Sequence, residues 1–434
     1  MLRASTVLKK PRTWIAALGL GILAVAFTAS YLGGFLNPAG NMKDVPVVVV
    51  NSDAGKLGGQ VTQGITRSEN GGKIAWRQVD SPRDAERLLK NGTAYAAIEV
   101  PENFSATVGA LSKAAADPTA DVAATRPEIG VISQPAIGAM GSGAAQSAAV
   151  SAVQAASRQL GTSLTGAKST PVQQLLLADP VHIATQEVQA LPGKSAKGMA
   201  AFYVPLMLML AAFIGANLIH MLVDSHLGYA PKEIGARRTL KPLAPISRRH
   251  TLLVKGVLML GGGVLIGAGT LFTSITLLGM PAPHFWQLAL LSVAVPTVVG
   301  WVTLGLLAVL GAPGLLVGMF GFIVLGIPTS GGPYPLEMVP DFFRTLAHGL
   351  PLNHWVSGVR SLLYLDANAE NGMRGAWIAV LVCAGLAALL ALAVSLYDRR
   401  GVVRAADLET EYVAYAETTR KETDVPVLAG PSAT

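Results

Sequence analysis

The sequence predicts an integral membrane α-helical protein with six transmembrane helices and an extracytoplasmic α/β plus helical domain inserted between spans 1 and 2. Three observations carry that prediction. Of 434 residues, 51% are hydrophobic and only 14% are charged, a balance foreign to ordinary soluble domains. The runs Met199 to Val223 and Leu252 to Leu278 each exceed the roughly 20 residues needed to cross about 30 Å of hydrocarbon. Between them, residues 224–255 carry Lys232, Arg237, Arg238, Lys241, Arg248 and Arg249 against Asp224 and Glu233. Short loops so rich in Lys and Arg stay in the cytosol, which orients the rest.

The start of the chain, residues 1–12, holds Arg3, Lys9, Lys10 and Arg12 and no acid, which predicts a cytosolic N-terminus. Residues 13–36 lack charge and exceed the apolar core of a cleavable signal peptide, so they read as a retained first span. From 37 to 197 charges of both signs appear and Gly, Pro and Ser break the apolar runs, as in an external soluble domain. Val45 to Val50 reads as a buried strand ending in the turn Asn51-Ser52-Asp53-Ala54-Gly55. Lys73 to Val79, Ala94 to Val100 and Glu128 to Ser133 are three further strands. Ser81 is placed to cap a helix with Pro82 in its first turn, stopped at Asn91-Gly92. Pro101 to Ser105 opens another helix. Alternation of strand and helix predicts a layered sheet with helices packed on it. The Ala-, Ser- and Gly-rich stretch Ile137 to Gly166 reads as a helix, since Ala is the best helix former and no Pro interrupts it. Its small side chains suit close helix contact between protomers, and Leu175 to Ala190 reads as a further helix returning to the bilayer.

Five spans follow within 198–397. Trp286 to Ile327 is uncharged, and roughly 40 residues at 1.5 Å each suffice for two crossings but not three. Gly311-Ala312-Pro313-Gly314 is the break, which leaves the fifth span short. Leu336 to Leu365 is then external by parity, an amphipathic hairpin broken at Pro351, whose Phe342, Phe343, Trp355 and Leu362 would be an unprotected patch in water and are expected to pack over the ends of spans 5 and 6 or between protomers. Gly375 to Tyr397 is the sixth span. Arg399, Arg400 and Arg404 follow it, so the tail 398–434 is cytosolic.

The net charge of +7 lies beside the spans, where topology and anionic lipid account for it without nucleic acid. Cys383 is the only cysteine and sits in an apolar run, as a small hydrophobe would. Leu191 to Ser195 includes the Gly-Lys-Ser of a phosphate loop, but Val188 stands where the earlier glycine is required. None of the seven histidines falls in a zinc-hydrolase pattern, and no nucleophile elbow occurs. The chain therefore reads as a non-enzyme with no catalytic, cofactor-binding or metal residues. Lys255 is placed to snorkel to the cytosolic face from about one turn inside the third span, with Asp224 and His220 at the cytosolic end of the second. Asn217 is the amide inside a span, read as glue between helices.

Val45 to Gly55 and Ala94 to Ser105, followed by Phe202-Tyr203-Val204-Pro205-Leu206, resemble in wording and order the YhgE/Pip proteins of the ABC-2 type permease superfamily. The resemblance implies one span, an extracytoplasmic domain and five more spans. In such exporters the connection between spans 2 and 3 carries a short coupling helix that contacts a cytosolic ATP-binding cassette ATPase. Glu233, Gly235, Pro245, Ser247, Arg248 and Lys255 fit that outline, and Arg237, Arg238 and Arg249 belong to the same expected coupling loop. Phe342, Phe343, Pro351, Trp355 and Arg360 fall in the stretch similar to the family's external hairpin. The resemblance thus implies a bacterial cell-membrane permease subunit exporting an amphiphile (lipid, peptide or hydrophobic drug), paired with itself or a second permease. The alternative it leaves open is an envelope scaffold, secretion accessory or phage-adsorption protein without an ATPase.

Overall fold

The computed structural model describes residues 11–68, 71–115, 126–164, 171–234, 237–239, 241–367 and 372–401. Gly235, residues 1–10 of the basic start and the tail from 402 lie outside them. The chain divides into two compact units, one of Met1–Leu210, Ile266–Val295 and Met319–Leu381, the other of Ala211–Leu265, Pro296–Gly318 and Val382–Thr434.

The uncharged first run folds as α1 (Pro11–Phe35). Beyond it five strands form one sheet: β1 (Val45–Asn51), β2 (Ile74–Val79), β3 (Ala96–Val100), β4 (Glu128–Ser133) and β5 (His182–Glu187), in the order β2-β1-β3-β4-β5. β1 runs parallel to β2 and β3, β3 is antiparallel to β4, and β4 is parallel to β5. Val45 and Val47 to Val50 are all buried, as an unbroken apolar strand between two covered faces must be. The parallel crossovers are α2 (Lys56–Thr66) and α3 (Pro82–Lys90), and α4 (Phe104–Ala115) follows β3. Ser81 caps α3 as its position predicts, accepting from Asp84 N–H at 3.2 Å.

α5 (Ala139–Leu164) forms where the Ala-rich stretch requires it. Its small-residue face is used inside the chain. Gly141, Ala145, Ala149, Val153 and Ser157 are buried at helical spacing, and a Cβ at Gly161 would stand 2.3 Å from the Leu177 carbonyl. The expected contact between protomers is therefore not needed to explain these residues. The helix expected over Leu175 to Ala190 is corrected: α6 (Pro171–Ala178) ends early and β5 follows. Pro180 lacks the donor that would continue the helix, and the next residues pair with β4, from Glu128 with His182 to Ser133 with Glu187. Most of β5 is exposed, so no hydrophobic alternation announces it.

Apolar helices α7 (Ala200–His226), α8 (Arg248–Leu271, continued by a π-helical stretch to Leu277), α9 (Phe285–Leu310) and α13 (Met373–Arg399) are long and apolar enough to cross a membrane. The other two predicted positions hold shorter apolar segments, Gly21–Phe35 within α1 and Ala312–Val324. The second begins as α10 (Ala312–Met319), directly after Gly311 reverses the chain at φ +68°.

The predicted hairpin forms as α11 (Asp341–Ala347) and α12 (Pro351–Tyr364), separated at Pro351, which occupies the first turn of α12. Its apolar residues, which would form an unprotected patch in water, are mostly covered within the chain: Phe342 is exposed, but Phe343, Trp355 and Leu362 are buried, Trp355 completely. α12 packs within its unit so closely that a Cβ at Gly358 would stand 2.4 Å from that of Ala376. Amphipathic spacing identifies one apolar face; here neighbouring elements cover the other side as well.

Candidate functional site

The unit built from Ala211–Leu265, Pro296–Gly318 and the chain from Val382 places an ion pair where two apolar helices meet the basic connection. Asp224, at the end of α7, is 3% exposed and Lys255, in α8, is 4% exposed. Lys255 Nζ donates to Asp224 Oδ1 at 2.6 Å and stands 3.0 Å from His220 Nδ1. His220 Nε2 lies 3.4 Å from Asp224 Oδ2, the two residues being one helical turn apart. The arrangement fits the neutral tautomer with its proton on Nε2, so that Nδ1 accepts from the ammonium. Neither charge reaches solvent, and the pair persists because each ion holds the other's desolvation in check. Lys255, expected to reach the cytosolic face, has its ammonium held by the carboxylate at the end of α7.

The connection between these helices is extended. β6 (Lys232–Ile234) and β7 (Arg237–Thr239) form a two-stranded antiparallel ribbon in which Glu233 faces Arg238 in register and Ile234 faces Arg237. Residues 241–247 have no regular structure. The coupling helix implied by the resemblance is absent among the described residues of this connection. Pro242 and Pro245 explain why: each removes a donor and pushes the residue before it out of helical geometry. Tyr229 ties the two ends together, its hydroxyl donating to the carbonyls of Ala244 at 3.0 Å and Ile246 at 3.2 Å. Ala244 N–H in turn donates to Leu227 O. Pro245 is exposed beside this tie. Ser247 then caps α8, accepting from His250 N–H at 3.3 Å.

Arg248 and Arg249 open α8 and diverge. Arg248 is half-buried and lines a cavity of about 550 Å³ together with Asn217, His220, Thr251 and Lys255. Arg249 is exposed and lines a separate apolar groove of about 640 Å³ with Trp301 and the alanines of α13. Its backbone N–H donates to Asp398 Oδ2 at 2.9 Å. Trp301 Nε1 donates to Gly256 O at 3.0 Å, and a Cβ at Gly300 would stand 2.4 Å from the Met259 side chain, so α8 and α9 cross in close contact. Asn217 donates to Phe213 O of its own helix at 2.8 Å. The bond shown is thus within α7 rather than the expected one between helices.

In the other unit, the hairpin's Arg360 donates to Gly331 O at 3.0 Å. Burial lowers its guanidinium pKa against the opposing pull of Tyr95, Tyr364 and Glu337. Tyr95, on the sheet side, donates to Glu337 at 3.1 Å, and burial together with that carboxylate raises its hydroxyl well above the usual range. Burial also pushes the Tyr364 hydroxyl up to about 12. These contacts join the sheet and hairpin within one unit.

Asp224, His220, Lys255 and Tyr229 are the residues a sequence reading undervalues. The available signal was a lone Lys inside an apolar run, a placement costly enough to imply a partner.

Over residues 11–396 the chain matches the family described as ABC-2 family transporter protein. Among solved structures it is similar to a domain of an ABC type-2 transporter from Thermotoga maritima MSB8, at 17% identity and a TM-score of 0.22, covering 33% of this chain and 84% of that one. No curated protein matches.

Proposed function

The chain belongs to the ABC-2 family of transporter proteins, and from that premise we propose that it is the membrane-spanning permease subunit of an exporter in the bacterial cell membrane, of the YhgE/Pip kind. A separate cytosolic ATPase drives it, and an amphiphile is the cargo. The two shorter apolar helices bring the spans to six, with the external sheet domain inserted in sequence between the first and second, both termini are cytosolic, and two permease units form the pathway. The ATPase docks on the connection 224–255, where Glu233, Gly235, Arg237, Arg238, Pro245, Arg248 and Arg249 serve as its contact surface. The hairpin with Phe342, Phe343, Pro351, Trp355 and Arg360 forms the external gate.

The observation that carries the docking assignment is the buried Asp224–Lys255 pair at the root of the connection. A loop that transmits force from a soluble partner must be attached rigidly to the helices it moves. The pair and the Tyr229 tie supply that attachment without a coupling helix. Substituting Glu233→Ala with Arg237→Ala is expected to lower ATPase copurification at unchanged membrane insertion; undiminished copurification removes the docking role. In a Cys383→Ser background, Ser163→Cys is expected to react with an impermeant maleimide from outside and Ala236→Cys is not. Labelling of Ala236→Cys in intact cells overturns the orientation.

A further inference from the structure

Most of the polar groups in the second unit are satisfied, and Arg248 is the exception that points to a ligand. Its Nε is buried without a hydrogen-bond partner among the described residues, where leaving such an atom unmade costs free energy. It lines the 550 Å³ cavity, which also presents the Asn217 amide, the Thr251 hydroxyl and His220. The Lys255 ammonium in the same wall is neutralised by Asp224, so Arg248 brings the cavity a positive charge that no carboxylate among its described lining residues balances. The opposite wall is apolar, formed around Leu307, Leu310 and Leu315 at the α9–α10 turn.

We propose that this cavity binds the anionic headgroup of an amphiphile, with a phosphate or carboxylate against Arg248 and the start of the chain against the leucine wall. A guanidinium matches a two-oxygen anion in fork geometry and gains most where water is excluded. The Asn217 amide keeps a second N–H beyond its bond to Phe213 O, and the apolar wall selects against a fully solvated small anion. The inference rests on the permease reading for its meaning, since it makes the cavity the cytosolic site at which anionic cargo is taken up. The binding itself does not require an ATPase.

The test uses the full chain in phosphatidylcholine nanodiscs, titrated with fluorescent short-chain phosphatidylglycerol or with phosphatidylcholine of the same chains. Phosphatidylglycerol is expected to bind at least tenfold more tightly. Arg248→Gln should abolish that preference, while Arg399→Gln, an exposed arginine outside the cavity, changes it less than twofold. Ala308→Leu fills the apolar wall and keeps every charge; it should also weaken phosphatidylglycerol, which guards against misfolding of the Arg248 variant. Glycerol 3-phosphate should compete only at concentrations at least a hundredfold higher. Equal loss in the two arginine variants, no preference for the anionic lipid, or equal competition by glycerol 3-phosphate would each overturn the proposal. Because the assay contains no ATPase, such a result leaves the copurification experiment to judge the permease reading separately.

Discussion

The sheet domain and the root of the basic connection treat charge in opposite ways. On α3, Arg87 and Asp84 pair at 2.8 Å with side chains 67% and 38% exposed, where water screens the attraction and the net gain is small. Asp224 and Lys255 pair at 2.6 Å with 4% and 5% exposed. The second pair's attraction is offset by desolvation, so its importance appears when one partner is removed and a charge is left buried alone. The same chemical contact is thus dispensable in one place and structural in the other. Burial makes the difference.

The sharpest way to break this comparison is at the buried pair. Asp224→Ala or Lys255→Met alone is expected to cost about 3–5 kcal/mol, read as a lowered midpoint of thermal unfolding in detergent. Asp224→Leu combined with Lys255→Met should recover most of that loss, because apolar groups of similar size need no desolvation. A double variant as unstable as the singles would show that the charges hold something beyond each other.

An intermediate case is Asp53, a buried carboxylate in the sheet domain without a cationic partner among the described residues. It accepts from Gly58 N–H at 3.1 Å, Ser105 N–H at 3.1 Å and the Ser105 hydroxyl at 2.5 Å. Burial raises its pKa, but these donors outweigh burial and leave it below the ordinary value of 3.8. A carboxyl depressed on folding contributes stability that is present above the ordinary value and lost as pH falls through the lowered one. Asp53→Ala should cost about 2–3 kcal/mol at neutral pH. Asp53→Asn should flatten the acid limb of the stability profile below about pH 4. An unchanged acid limb would place the titrating group elsewhere.

The smallest expected effects lie on the surface of α3. Ser81→Ala should cost about 1 kcal/mol through loss of the cap, while Arg87→Ala should leave the unfolding midpoint unmoved, its bond to Asp84 being screened. A larger effect at Arg87 than at Ser81 would reverse the ranking and with it the argument from burial.

Asp53 also shows how far the sequence could be read. Its turn and the Pro101 to Ser105 helix start are two separate parts of the stretch that resembles a known family, and the structure brings them together through the Asp53–Ser105 bonds across 52 positions. Each part was legible as a local signal: an Asx-type turn after a strand, a Pro-opened helix. Their meeting was not, because nothing in either segment records the other's position. The small-residue stripe of α5 is legible to the same extent. Its pattern signals close approach, yet the approaching surface is α6 and the sheet of the same chain.

Apolar helix positions, the Val45 to Val50 strand, the Ser81 cap and the break at Gly311 were determined by the sequence itself, because each depends on periodicity, caps or φ preferences within a few residues. The tertiary structure alone decided that Lys255 turns to Asp224 across 31 positions, that His182–Glu187 is a strand, that Trp355 is core, and that Arg248 lines a cavity while Arg249 lines a groove. In every one of these cases the deciding free energy is desolvation or pairing by a distant segment. A local window contains the side chain but not the environment that sets its cost.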